Sequence, residues 1–171
     1  LNAQQCIYRI YRDTRFGGLP YKEYFAALLA PSINPRKSIR SCYYLQIQPG
    51  GHSVVGGGLY NPVAKELKAV RTALLADSAA DELRGVLKSP RFKKLFGEGL
   101  ENNDKSRLKS TPRGYSVDMA NIDLIRYKSF TVFAKIDDSY LGTPKLMTRI
   151  VELLTALHPF NVALDRLAGL L

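Results

Sequence analysis

The sequence predicts an α+β fold: an antiparallel or mixed sheet containing a glycine-rich hairpin, with helices packed on one of its faces. Two observations carry that expectation. Residues 43–59, YYLQIQPGGHSVVGGGL, alternate apolar and polar side chains around a Pro-Gly-Gly turn, the pattern of two half-buried strands joined by a hairpin. Downstream, apolar residues recur at helical spacing over 63–74 and again over 146–157, so helices with one apolar stripe follow the strands. The 171 residues, 46% of them hydrophobic, suffice for one sizeable core, and residues 1–171 are expected to form a single domain.

Element by element, Cys6 to Phe16 (CIYRIYRDTRF) is β-branched and aromatic with period-2 character and is expected to be a strand. Residues 20–41 show little regular period and read as a loop with a basic end at Arg36, Lys37 and Arg40. Tyr43, Leu45 and Ile47 then share one face of a strand; Pro49, Gly50 and Gly51 turn the chain, and a return strand runs from about His52 to Leu59. Asn61-Pro62 has the residues of a helix start, with Val63, Leu67, Val70 and Leu74 as its apolar stripe. A second helix is expected from Ser78 and Asp81 through Leu87, and a third from Pro90 to its stop at Gly97. Residues 98–115 are polar and loop-like, Asp118 is placed to cap a short helix holding Ile122, Leu124 and Ile125, and KSFTVFAKI reads as a strand. Thr143-Pro144 opens a long helix that Pro159 is expected to bend or break, leaving a last helix with Phe160, Leu164, Leu167 and Leu171.

The charge and motif inventory narrows function by exclusion. Lys and Arg outnumber Asp and Glu 25 to 15, a formal net charge of +10, which favours an anionic partner such as nucleic acid, an acidic membrane surface or a phosphate-bearing ligand. Cys6 and Cys42 are the only cysteines and show no C-x-x-C spacing, so a reducing, intracellular compartment, cytoplasmic or nuclear, is expected. No apolar run approaches a membrane span. The start, LNAQQCIYRIYRD, lacks both a signal's apolar segment and an initiating Met, and the chain is expected to begin inside a longer product.

The glycine stretch has two readings. No Gly-Lys pair exists for a P-loop, and Asn61 stands where the dinucleotide motif needs its third glycine. Gly50 and Gly51 supply the hairpin turn, while Gly56, Gly57 and Gly58 either let a ring or a helix lie directly on the strand or mark a bulge, or let an anion approach the following helix N-terminus. No cofactor or metal is expected: Cys6, Cys42, His52 and His158 match no zinc spacing. His158, ahead of Pro159 at an expected helix end, reads as structural, and Asp137-Asp138 reads as a solvated turn. Asp118 and Asp123 are placed as partners for buried arginines.

Several segments together resemble one family: RIYRDTRF followed by PYK, then YYLQIQPGGHSVVGGGLYNP, RFKKLFG, LKSTPRGY and IDLIRYKSFTVFAKI. In this order and spacing they are similar to the domain of unknown function 2461, a family with bacterial, fungal and other eukaryotic members, over about Ile7 to Leu164. The resemblance implies a fold and no activity. It also implies an N-terminal helical portion that this chain lacks, and a longer, Lys-containing link where this chain has Gly17-Gly18-Leu19.

The family-like segments concentrate Arg9, Arg12, Arg15, Lys22, Arg113, Arg126 and Lys128, which form either one shared anion site or a set of internal ion pairs and solvated charges. The first function these support is a non-catalytic binding module for nucleic acid or another phosphate-bearing ligand, with Tyr8, Tyr11 and Tyr43 interleaved. The second is an enzyme acting on a phosphate-bearing small molecule, with Arg12, Arg15 and Lys22 on phosphate and Asp13 or His52 as acid or base; it requires these groups to converge. A protein-interaction scaffold is the third, and it requires exposed apolar area.

Overall fold

Four antiparallel strands form the centre of the molecule: β1 (Phe25–Leu29), β2 (Cys42–Ile47), β3 (Val54–Leu59) and β4 (Phe130–Lys135). They lie side by side in chain order, each antiparallel to the next. The computed structural model describes residues 2–31, 40–97 and 99–171. Arg36 and Lys37 of the expected basic loop end lie outside the described residues.

The helices are α1 (Ala3–Cys6), α2 (Ala64–Ala73), α3 (Asp77–Lys88), α4 (Pro90–Phe96), α5 (Ile122–Ile125) and α6 (Lys145–Leu167). Alternation along the strands sends Tyr43, Leu45, Val55, Leu59 and Val132 to the face where α6 packs, and one core joins that face to Val70, Leu83, Phe92, Leu153, Leu157, Phe160 and Leu164. The α+β expectation, with helices on one face of an antiparallel sheet, describes this architecture.

The glycines of β3 explain how closely α6 lies. A Cβ on Gly57 would fall 2.9 Å from Leu157 Cδ2 and 2.0 Å from Cys42 O. On the opposite face, a Cβ on Gly56 would sit 2.3 Å from Cδ1 of Phe133. The glycines thus clear β3 for a helix on one side and a ring on the other, as the packing reading holds.

Several boundaries differ from expectation. Residues 6–16 form no strand: α1 ends at Cys6, isolated bridges pair Ile7 with Ala27 and Tyr11 with Tyr21, and a one-turn 3-10 helix covers Thr14–Phe16. The segment doubles back, Arg12 N–H donating to Pro20 O and Lys22 N–H to Ile10 O, both at 2.8 Å. Among the residues of the segment whose burial is described only Cys6 is buried, with Ile7 and Tyr11 more than half exposed, so its alternation finds no core to face. Conversely, β1 is a strand inside the expected loop. Its sequence FAALL is not strand-like, and it pairs because β2 offers an edge of unsatisfied backbone groups.

α2 starts two residues beyond Pro62. Asn61 takes φ of +43° and is tied instead to the residue before β4, its N–H donating to Ser129 Oγ at 3.0 Å. Glu66 reaches back to accept the Val63 N–H at 2.7 Å and so closes the helix start. α5 follows Asn121, at φ +62°, rather than an Asp118 cap; Asn121 and Asp123 both bind the Arg84 guanidinium.

α6 runs unbroken through Pro159. An interior proline costs about 3 kcal/mol, whereas Leu153, Leu157, Phe160 and Leu164 are fully buried on both sides of it, each contributing about 1.5–3 kcal/mol. Pro159 and Thr155, whose carbonyl loses its helical partner, are exposed residues, where solvent is available to unpaired backbone groups.

Candidate ligand-binding face

The opposite face of the sheet collects what β-alternation sends away from α6: Tyr44 and Gln46 on β2, Thr131, Phe133 and Lys135 on β4, with Gly56 between them. With glycine at 56, the Tyr44 and Phe133 rings meet edge to face across β3 at 6.3 Å. Two concavities lie over this face. One, of about 340 Å³, is lined by Tyr8, Lys22, Tyr24, Tyr44, Tyr60 and Phe133 over a floor that includes Ala26 and Cys42. The other, of about 890 Å³, shares Tyr44, Tyr60, Thr131 and Phe133 with the first and extends to Lys105, Lys128 and Lys135.

Lys22 is half-buried in the smaller cavity, its ammonium 5.7 Å from the Tyr8 ring centroid and 5.5 Å from that of Tyr24. Two π faces hold the cation. Among the described residues no carboxylate comes within ion-pair distance of it. Burial, with Tyr24, Tyr8 and Tyr60 close by, raises the Tyr44 phenol from 10.0 to about 12. Tyr44 therefore stays a hydrogen-bond donor at neutral pH and donates to Gln46 Oε1 at 2.8 Å.

The wider groove carries charges of both signs. Lys128 donates to the Asp104 carbonyl at 2.8 Å, and Lys105 and Lys135 are exposed. Of its two carboxylates, Asp104 is paired with Lys109 at 3.0 Å and Glu101 accepts from Thr131 Oγ1 at 3.4 Å. The ammonium groups outnumber the carboxylates that face them.

The expected basic cluster does not assemble as one site. Arg9 and Arg12 are exposed on the N-terminal segment. Arg15 forks onto Asp13, Nε to Oδ1 at 2.9 Å and Nη2 to Oδ2 at 2.5 Å, and these bonds hold the Asp13 carboxyl below its ordinary range. Arg113 lines a separate groove of about 440 Å³ beside α2, with Lys68 and Arg71. Arg126 is half-buried and reaches Thr111 Oγ1 at 3.5 Å. Only Lys22 and Lys128 of the seven border the open sheet face.

The anion-cradle reading of the glycines also gives way. Gly50 and Gly51, at φ of +87° and +77°, both donate N–H to Asp138 Oδ2, at 2.7 and 3.1 Å. The chain's own carboxylate fills the hairpin nest, and Glu66 does the same at the start of α2. Asp137-Asp138 is therefore not a merely solvated turn: Asp137 caps a 3-10 helix through the Ser139 N–H, and Asp138 pins the hairpin.

His52 is exposed beside that turn and Asp13 is committed to Arg15, and neither lines the cavities above. The convergence that the enzyme reading requires is missing for these two residues. His158 is not at a helix end: it lies inside α6 and its Nδ1 meets Tyr43 OH at 2.8 Å. Nearby, Asp165 accepts the Ser41 N–H at 2.7 Å and pairs with Arg40 at 3.3 Å, stitching the start of β2 to α6. Among the described residues no three His, Cys, Asp or Glu side chains gather around a common point, so Cys6, Cys42, His52 and His158 form no zinc-like group. Both cysteines are free and buried, and burial pushes the Cys42 thiol to about 11.

Tyr24, Tyr44, Tyr60, Phe133, Lys105 and Lys135 belong to the face and were not expected there. The signal was present in β2 and β4, whose second faces each carry an aromatic ring, Tyr44 and Phe133, at a mid-strand position where a solvated strand usually has a polar residue. Of the interleaved tyrosines that were expected, Tyr8 lines the face, Tyr43 turns to α6, and Tyr11 packs on Tyr21 at 5.3 Å between ring centroids.

Fold and face together define a small sheet-and-helix protein with one helix-covered side and one aromatic, lysine-bordered open side. By sequence the chain belongs to the family described as conserved hypothetical protein (DUF2461), whose model matches residues 1–162. No curated protein and no solved structure matches it. Among the described residues no helix is long and apolar enough to cross a membrane.

Proposed function

We propose that this protein is a non-catalytic binding module that takes a phosphate-bearing partner on the open face of its sheet. The observation that carries this reading is Lys22: a half-buried ammonium in an aromatic-walled cavity, held by π faces and neutralised by no carboxylate among the described residues. A partly desolvated cation without a counter-ion favours an incoming anion. Lys128, Lys105 and Lys135 continue the basic border across the face, and the net charge of +10 attracts polyanions to the molecule as a whole.

Fluorescence anisotropy with labelled inorganic polyphosphate, at low and at physiological salt, tests the reading. The native protein is expected to bind with an affinity that falls steeply with salt. A Lys22→Gln/Lys128→Gln/Lys135→Gln variant loses most of that binding, while Arg9→Gln/Arg12→Gln, with the same sign of charge change on the N-terminal segment, keeps most of it. Absence of binding at low salt, or equal losses in the two variants, contradicts the assignment to this face.

A further inference from the structure

Resting on that reading, we infer that the phosphate-bearing partner is a single-stranded nucleic acid, one of whose unpaired bases enters the tyrosine cavity beside Lys22. The cavity has the chemistry of a base subsite. Its walls are the rings of Tyr8, Tyr24, Tyr44, Tyr60 and Phe133, and alanine and cysteine contribute to its floor. Stacking on such rings tolerates every base, because every base has a π face.

Size and continuity favour a strand over a mononucleotide. At about 340 Å³ the first cavity is at the lower end for small-ligand sites, enough for a planar ring system. It shares Tyr44, Tyr60, Thr131 and Phe133 with the groove of about 890 Å³ where Lys105, Lys128 and Lys135 stand beside Glu101 and Asp104, so a ligand seated at Lys22 has a groove with three ammonium groups along which its backbone continues. A duplex keeps its bases paired and stacked and can offer this cavity none without flipping one out. A cationic ligand, which an aromatic enclosure otherwise suits, meets the Lys22 ammonium already lying between Tyr8 and Tyr24 and is repelled by it.

Anisotropy with four labelled probes decides it: oligothymidylate, oligoadenylate, an abasic strand of the same length and phosphate count, and a duplex. Both base-bearing single strands are expected to bind at least about tenfold more tightly than the abasic strand or the duplex. Tyr60 is two-thirds exposed, so Tyr60→Ala is expected to leave the fold intact, which thermal unfolding of the variant checks. That variant is expected to lose about fivefold or more for the base-bearing strands and nothing for the abasic strand. Equal affinity for abasic and base-bearing strands, preference for duplex, or an unselective Tyr60→Ala overturns the inference while the phosphate reading stands. No binding to any probe at low salt overturns both.

Discussion

The two faces of the sheet are built from the same strands and differ in what covers them. On the α6 face, Val55, Leu59 and Val132 are buried against Leu157 and Phe160, and glycine at 57 brings the helix close. On the other face Tyr44 and Phe133 are only half-buried, and the space above them is open. Alternation along a strand sends residues one position apart to these two different faces. Substitutions one position apart in β2, β3 or β4 should therefore fall into two classes, one read by unfolding and the other by binding.

The largest expected effect is at the point of closest packing. Gly57→Val puts side-chain atoms into Leu157 and the Cys42 carbonyl, and loss of soluble folded protein, or destabilisation of about 3 kcal/mol or more, is expected in urea unfolding. Leu157→Ala follows, at about 2–5 kcal/mol for a fully buried leucine. Phe133→Ala sharpens the comparison: on the half-buried face it should cost clearly less than Leu157→Ala in the same urea series, while reducing polyphosphate or oligonucleotide binding. If Phe133→Ala destabilises as much as Leu157→Ala, the two faces are not distinct in the way described.

Asp138→Ala removes the acceptor of both hairpin N–H groups and is expected to lower stability by about 1 kcal/mol, with the binding face unaffected. The smallest effect is one of pH. Because burial raises Tyr44 above its ordinary 10.0 to about 12, folding favours its neutral form. Its contribution to stability is complete below pH 10 and is lost as pH rises from 10 towards 12. Ultraviolet titration should show Tyr44 among the late-ionising phenols, with Tyr43 and Tyr127, which burial also raises, and Tyr44→Phe should remove its share of that late step.

Much of the fold was legible because its signals are local. The β2–β3 hairpin announces itself by alternation and Pro-Gly-Gly, α4 by Pro90 and Gly97, and β4 by its aromatic and β-branched run. What could not be read depends on neighbours distant in sequence. FAALL becomes β1 only because β2 presents an edge, and CIYRIYRDTRF fails as a strand because no core faces it. Pro159 does not end α6 because buried residues on both sides outweigh the lost hydrogen bond.

The candidate site was legible in part. Lys22 and Lys128, cations of the family-like segments, border the two concavities, but placing Arg9, Arg12 and Arg15 beside them assumed a strand that the chain does not form. Tyr44 and Phe133 belong to one site only because Gly56 lies between them in the registered sheet. That register joins residues almost ninety positions apart, and no spacing within either segment contains it.

The most direct test of the central claim is a heteronuclear NMR titration of the native protein with labelled backbone and aromatic groups, adding oligothymidylate at low salt. Binding on the open face predicts shifts at Tyr44, Tyr60, Thr131 and Phe133 and on the Lys22 segment, with the α6 residues Leu157 and Phe160 unmoved. Shifts centred instead on Lys68, Arg71 and Arg113 beside α2, or no shifts at saturating ligand, would contradict it.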